Sequence, residues 1–241
     1  MSLLTVEKVE KRFGGLQALD DISLEIHPRE IVAVIGPNGA GKTTLFNCLT
    51  GFIPPDHGSI QFQGRSILGL KPYEICRLGI VRTFQIVKPF LELTVLDNVI
   101  VAAFNRLPSL GEATKKAREV IEFVGLDDKR MAYGHELPLP HRKRLELARA
   151  LATNPSLLML DEVMAGINPT ETDILIKLIK EINQQGITIL LIEHVMRGVM
   201  ALSQRIIVLN FGEKIAEGLP LEVTQNPLVV EAYLGEEYKP C

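Results

Sequence analysis

The stretch Gly36-Pro37-Asn38-Gly39-Ala40-Gly41-Lys42-Thr43-Thr44 constrains this chain more than any other. It fits the pattern G-x-x-x-x-G-K-[ST], in which a glycine-rich loop cradles phosphate groups. Before it runs Ile31-Val32-Ala33-Val34-Ile35, a continuous apolar run that reads as a strand buried on both faces. After it, Thr44 to Leu49 continues as a helix. Strand, tight turn and helix start are what the chemistry needs. Successive N–H groups of the turn form an anion-binding concavity, and the helix N-terminus adds about half a positive charge. Asn38, Gly39, Ala40, Gly41 and Thr44 belong to that cradle. Lys42 is placed to reach the β- and γ-phosphates, and the Thr43 hydroxyl to ligate Mg²⁺.

Apolar residues make up 46% of the 241, enough for a substantial core. Lys and Arg number 26 against 29 Asp and Glu, a net charge of −3, so nothing favours a nucleic-acid partner. Cys48, Cys76 and Cys241 are far apart and odd in number, which argues against a disulfide framework and suits a reducing compartment. Met1 to Glu10 mixes charges without an apolar signal region, and the longest apolar runs are strand-length. A soluble chain is expected.

Strands are expected at Leu3 to Val6, Ile22 to Ile26, Ile31 to Ile35 and Gly58 to Phe62, and again at Leu157 to Leu160, Thr188 to Ile192, Arg205 to Leu209 and Ile215 to Glu217. Helical periods run over Ala113 to Val124, Arg142 to Leu151, Pro169 to Gln184 and Val195 to Leu202. Strands alternating with helices predict a largely parallel α/β sheet. Between about Ile86 and Thr153 strand texture gives way to helix. The expected division is an α/β core of 1–85 and 154–241 carrying an inserted helical block of 86–153. Leu157-Leu158-Met159-Leu160-Asp161-Glu162 is an apolar strand ending in two acids, at the end where open α/β sheets bind ligands. Asp161 is placed to hold Mg²⁺, and Glu162 to polarise a water.

With these motifs in this order, the chain resembles the nucleotide-binding subunit of an ATP-binding-cassette transporter over Val9 to Gly235. The resemblance implies a RecA-like P-loop core, an N-terminal antiparallel β-subdomain and the helical insertion. It implies ATP and Mg²⁺ as cofactors. Phe13 matches the aromatic that stacks on adenine. Gln85, in Arg82-Thr83-Phe84-Gln85, matches a glutamine that senses Mg²⁺ and the attacking water. His194 matches a switch histidine that bonds the γ-phosphate. The bland readings of these three are a core aromatic, a solvated loop residue and a helix cap. His27 and His57 read as surface residues.

Within the family, the segments Phe13 to Leu19, Leu93 to Val99, Ala165 to Pro169 and Glu231 to Gly235 resemble the ATPases of branched-chain amino acid importers. The last segment also resembles the ATPase of lipopolysaccharide export. The resemblance implies transmembrane permease subunits, a second cassette subunit, an external solute-binding protein acting indirectly, and a peripheral seat on the cytoplasmic face of the membrane. A nucleotide-gated subunit with little hydrolysis and a soluble cassette acting on DNA or ribosomes are the other classes.

One motif departs from the family. A Leu-Ser-Gly-Gly-Gln signature is expected before the arginine-rich helix, and here stands Leu137-Pro138-Leu139-Pro140-His141. Tyr133-Gly134-His135 as a displaced signature is rejected on alignment. Pro138 and Pro140 remove a hydroxyl and an N–H that would reach the γ-phosphate held by an opposing subunit, charge-assisted bonds of about 1.5–3 kcal/mol each. His141 and a helix N-terminus at Arg142 are expected to recover part of this. An asymmetric heterodimer follows as the favoured assembly, with a homodimer as the alternative.

Overall fold

The computed structural model describes residues 2–85 and 88–234, with the backbone alone at Leu234. Ile86, at the expected edge of the helical block, and the tail Gly235 to Cys241 lie outside the described residues.

Two sheets and their helices organise the chain. The first is antiparallel: β1 (Leu4–Phe13), β2 (Leu16–Ile26), β4 (His57–Phe62) and β5 (Arg65–Ser66), in the order β2-β1-β4-β5. The second holds β3 (Ile31–Ile35), β6 (Ile80–Arg82), β7 (Leu157–Asp161), β8 (Thr188–Ile192), β9 (Arg205–Asn210) and β10 (Glu213–Gly218). Its order is β10-β9-β3-β8-β7-β6, parallel except for the hairpin partner β10. The helices are α1 (Lys42–Leu49), α2 (Pro72–Leu78), α3 (Val95–Ala103), α4 (Leu110–Phe123), α5 (Leu139–Ala152), α6 (Pro169–Gln184), α7 (Met196–Leu202), α8 (Pro220–Thr224) and α9 (Pro227–Leu234).

The parallel strands are buried on both faces because each face has its own core. Ile31, Ala33 and Ile35 of β3, with Leu158 and Leu160 of β7, pack under α3 to α6. Val32, Val34, Leu157 and Met159 face the other way, against α1 and the antiparallel sheet. A side-chain period of two sends alternate residues to opposite sides, so continuous apolar runs are the only texture that satisfies both cores.

The α/β class with an N-terminal antiparallel sheet is as expected, and α6 spans the expected residues. It starts on Asn168, whose side chain accepts the Glu171 N–H, followed by Pro169 at a position that tolerates proline. Several bounds differ. β1 and β2 form a long hairpin around Gly14 and Gly15 rather than two short strands, since their outward residues are polar and conceal the pattern. The edge strand β6, α2 and α3 were not expected. α3 starts at Thr94, which accepts the Asp97 N–H. The helix expected from Arg142 begins at Leu139, one turn earlier. Pro138 caps it and Pro140 falls in its first turn, where a missing N–H breaks no helical bond. The Arg142 N–H is already bonded to the Pro138 carbonyl at 3.0 Å, so it is not the free donor expected there.

Candidate active site: one parallel sheet edge

Four neighbouring parallel strands each deliver one piece of the site at their carboxyl ends. β3 leads into the glycine loop, β8 into Glu193 and His194, β7 into Asp161 and Glu162, and β6 into Thr83 to Gln85. Ligands bind open α/β sheets at this edge.

The loop shape requires glycine at two points. At Gly36 (φ 152°) a Cβ would overlap the Leu209 carbonyl oxygen, and at Gly41 (φ 101°) it would overlap that of Ala18. Gly41 then caps α1, turning the first N–H groups of that helix into the loop. Lys42 curls back, its Nζ donating to the carbonyls of Gly36 at 2.7 Å and Pro37 at 2.8 Å. Burial lowers its pKa, an effect opposed by Glu162 and Asp161. A cavity of about 350 Å³ is lined by Phe13, Asn38, Gly39, Ala40, Gly41, Lys42, Thr43, Thr44, Gln85 and Glu162. Phe13, 46% exposed at the end of β1, forms its outer wall with the Lys11 Nζ 5.6 Å from its ring centre. It is therefore no core aromatic.

Glu162 is the meeting point. Gln85 Nε2 donates to Glu162 Oε2 at 2.6 Å, and His194 Nδ1 lies 3.6 Å from the same oxygen. Both are exposed residues outside helix and strand whose side chains converge on Glu162, and the α7 cap is Val195 rather than His194. The Glu162 backbone has φ 49°, sterically costly for a residue with a Cβ. Bonds at both its backbone groups hold it there: its N–H donates to the Ile192 carbonyl at 2.9 Å, and its own carbonyl accepts from Lys143 Nζ at 3.2 Å. Glu193 is 1% exposed, accepts the Met164 N–H at 2.8 Å, and burial raises its pKa.

Asp161 is 3% exposed and faces the same region from below. Arg82 Nη2 donates to its Oδ2 at 2.6 Å while Arg82 Nη1 donates to Asn47 Oδ1 of α1 at 2.6 Å. The guanidinium also lies over Phe46 and Phe84, 5.5 and 5.1 Å from their ring centres. A second cavity of about 490 Å³ brings Thr43, Gln85 and Asp161 together with Glu146 and Arg149. Sequence reasoning passed over Arg82, Lys143, Glu146 and Arg149. Arg82 stood in the quoted Arg82-Thr83-Phe84-Gln85, yet nothing local marks it as the partner of a residue on another strand.

The signature region splits in two. Gly134 and His135 donate backbone N–H groups to Leu93 and Leu91, tying Tyr133 to His135 onto the loop before α3. Leu137 to His141 instead form the entry to α5. His141 Nδ1 is buried without a partner, and burial lowers the pKa of its ring. Cys48 is buried and its thiol is pushed up to about 11, an inert core residue as expected. Leu228 and Glu231 of α9 line a cavity with Pro37 to Ala40.

Phosphate loop, strand-end acids and a strand-end histidine on one parallel sheet define a P-loop nucleoside triphosphatase. Residues 19–165 match the ABC transporter family, and residues 213–239 match the branched-chain amino acid ATP-binding cassette transporter family. The high-affinity branched-chain amino acid transport ATP-binding protein LivG of Salmonella typhimurium is 46% identical, with 97% of this chain and 98% of that protein covered. The protein of the same name from Escherichia coli strain K12 is 45% identical over the same shares. The ADP conformation of MJ1267, an ATP-binding cassette of an ABC transporter, superposes with a TM-score of 0.89 at 34% identity, covering 98% of this chain and all of that one. The chain belongs to the ABC transporter family, among its nucleotide-binding ATPase subunits.

Proposed function

We propose that the chain is the ATP-hydrolysing subunit of an importer for branched-chain amino acids or related amino acids and amides. The observation that carries this is Glu162, its carboxylate held by Gln85 and faced by His194 on the wall of a cavity shared with Lys42 and Phe13. The names of the relatives support the cargo class and favour import over lipopolysaccharide-type export.

Phe13 stacks on the adenine, and the N–H groups of Asn38 to Thr44 cradle the phosphates. Lys42 leaves the carbonyls of Gly36 and Pro37 for the β- and γ-phosphates, a fair exchange for a desolvated ammonium. Glu162 polarises a water for in-line attack on the γ-phosphate, Gln85 orients it, and His194 donates to the γ-phosphate. Thr43, Gln85 and Asp161 are the metal residues. They fit Mg²⁺: all three line one cavity and offer hard oxygen donors, and Arg82 leaves Asp161 Oδ1 free. When bound, Mg²⁺ offsets charge on the β- and γ-phosphates.

The packing of α3, α4 and α5 on one another supports an inserted helical subdomain of 86–153 on a core of 1–85 and 154–241. Exposed Phe52, Phe84, Phe90 and Leu91 beside Gln85 offer an apolar groove to a short helix of a permease subunit. No helix among the described residues is long and apolar enough to cross a membrane. The relatives' role as transport ATP-binding proteins supports a peripheral seat on the cytoplasmic face. A solute-binding protein acts through the permease, and no nucleic acid is involved.

Two cassettes close head to tail on ATP, and a companion cassette with an intact signature completes this chain's site. In return this chain offers the companion only the N–H groups of Leu139 and His141, because Pro138 and Pro140 bring neither hydroxyl nor N–H. The test of the central role is Glu162→Gln. Turnover is expected to fall at least ~100-fold with ATP binding retained. Turnover near the wild-type rate would remove Glu162 from the reaction.

A further inference from the structure

The helix α5 carries a stripe of charge that the reaction as described does not use. Lys143, Glu146 and Arg149 recur every third residue and share one side of the helix. Each ends on the backbone of a segment bearing a catalytic side chain. Lys143 Nζ donates to the Glu162 carbonyl at 3.2 Å. The Phe84 N–H donates to Glu146 Oε1 at 2.9 Å. Arg149 Nη1 donates to the Lys88 carbonyl at 3.1 Å. Phe84 immediately precedes Gln85 and Lys88 is three positions after it, so Glu146 holds the chain before that glutamine and Arg149 holds it after.

Desolvation opposes these charges. It lowers the pKa of Lys143 and Arg149 and pushes Glu146 up to about 7. Apolar side chains would anchor the helix at lower cost, so charge here points to directed hydrogen bonds rather than to packing. The Arg149 guanidinium is oriented by the Phe90 ring, 4.9 Å away. Glu146 and Arg149 line the cavity that also contains Thr43, Gln85 and Asp161, but not the one walled by Phe13 and the glycine loop.

We infer that Glu146 and Arg149 are positioning residues for hydrolysis: as a pair they clamp the backbone flanking Gln85 and so set its contact with Glu162. This rests on the ATPase reading above. A misplacement of about 1 Å at a reacting group costs up to ~100-fold in rate. Loosening one jaw is therefore read in kcat, while nucleotide affinity, held by Phe13 and the glycine loop, is left alone.

The chain has no tryptophan, so Phe84→Trp places a single emission reporter beside Gln85. In that background Glu146→Ala is expected to red-shift the emission and increase acrylamide quenching. Glu146→Gln, whose amide oxygen still accepts the N–H at position 84, restores both. In the chain assembled with its companion cassette and permease, Glu146→Ala lowers kcat ~10-fold with KM for ATP within about twofold, and Glu146→Gln recovers to within about threefold. Unchanged emission and kcat in Glu146→Ala overturn the clamp, as does an equal loss of kcat in the Ala and Gln variants. If Glu146→Ala does not fold, Arg149→Gln, which releases the other jaw, is read by the same two measurements. An unmutated assembly that hydrolyses no ATP defeats the ATPase reading instead, and the emission arm still decides the clamp.

Discussion

Arg82 shows how much one side chain can carry at this sheet edge. It neutralises Asp161, ties that strand end to Asn47 of α1, and is packed between the rings of Phe46 and Phe84. Both partners of the ion pair have side chains 5% exposed. Arg82→Ala would leave a buried carboxylate alone, a loss of about 3–5 kcal/mol by the behaviour of broken buried pairs. For a chain of this size that lowers the midpoint of thermal unfolding by roughly 6–20 °C. Mg²⁺ with ADP is expected to narrow the gap, because the metal then supplies positive charge near Asp161. Equal melting temperatures for variant and wild type would mean that Asp161 does not depend on Arg82. Glu162 is the complementary case, a residue whose left-handed backbone is strained and whose side chain is therefore aimed rather than packed.

At the scale of elements, α5 is both the entry of the altered signature and the rear support of the site. Glu146 at its middle gives a pH signature. Its folded-state pKa of about 7 lies above the ordinary carboxylate value of 4.5, mainly through burial. Below 4.5 the group is protonated in folded and unfolded chains alike, and it has no effect. Between 4.5 and 7 the unfolded chain ionises it while the folded chain keeps the proton, so stability declines as pH rises, and above 7 the penalty is complete. Glu146→Gln removes it. The variant is expected to melt a few degrees above wild type at pH 8, with the difference shrinking to nothing near pH 4. A constant difference across that range would show that Glu146 does not titrate in this window. The same helix start explains why two prolines are accepted: one caps, and the other sits where no intrahelical N–H is required.

For the whole molecule, one sheet aligns four parallel strand ends into one reactive edge, which the proposed assembly has a companion subunit complete. The asymmetric assembly predicts that the purified chain alone hydrolyses ATP slowly and that a companion cassette of the same transporter raises turnover. It also predicts a direction for repairing the signature. Pro138→Ser with Pro140→Gly is expected to increase hydrolysis by the assembled pair, at about 0.4–1 kcal/mol lower stability for each lost proline, offset in part because serine is a favoured cap at position 138. Unchanged hydrolysis by the repaired pair would sink the asymmetric scheme, and full turnover by the chain alone would favour a homodimer.

The glycine loop, Asp161 with Glu162, and the strands β3, β7 and β8 were legible in the sequence because their signals are local. A phosphate cradle needs consecutive residues, and a strand buried on both faces is apolar along its whole length. Phe13, Gln85 and His194 were legible only by resemblance, since each is a single residue in a polar context. Arg82, Lys143, Glu146 and Arg149 were decided by tertiary structure. Arg82 meets Asp161 across 79 positions of chain, and Glu146 meets Phe84 across 62. The edge strand β6 is likewise too short to announce itself and exists because β7 pairs with it. By itself the sequence determined which chemistry the chain carries. Only the tertiary structure decided which side chains hold that chemistry in place, because Arg82 meets side chains distant in sequence and the bonds from α5 run to backbone groups that any residue would present.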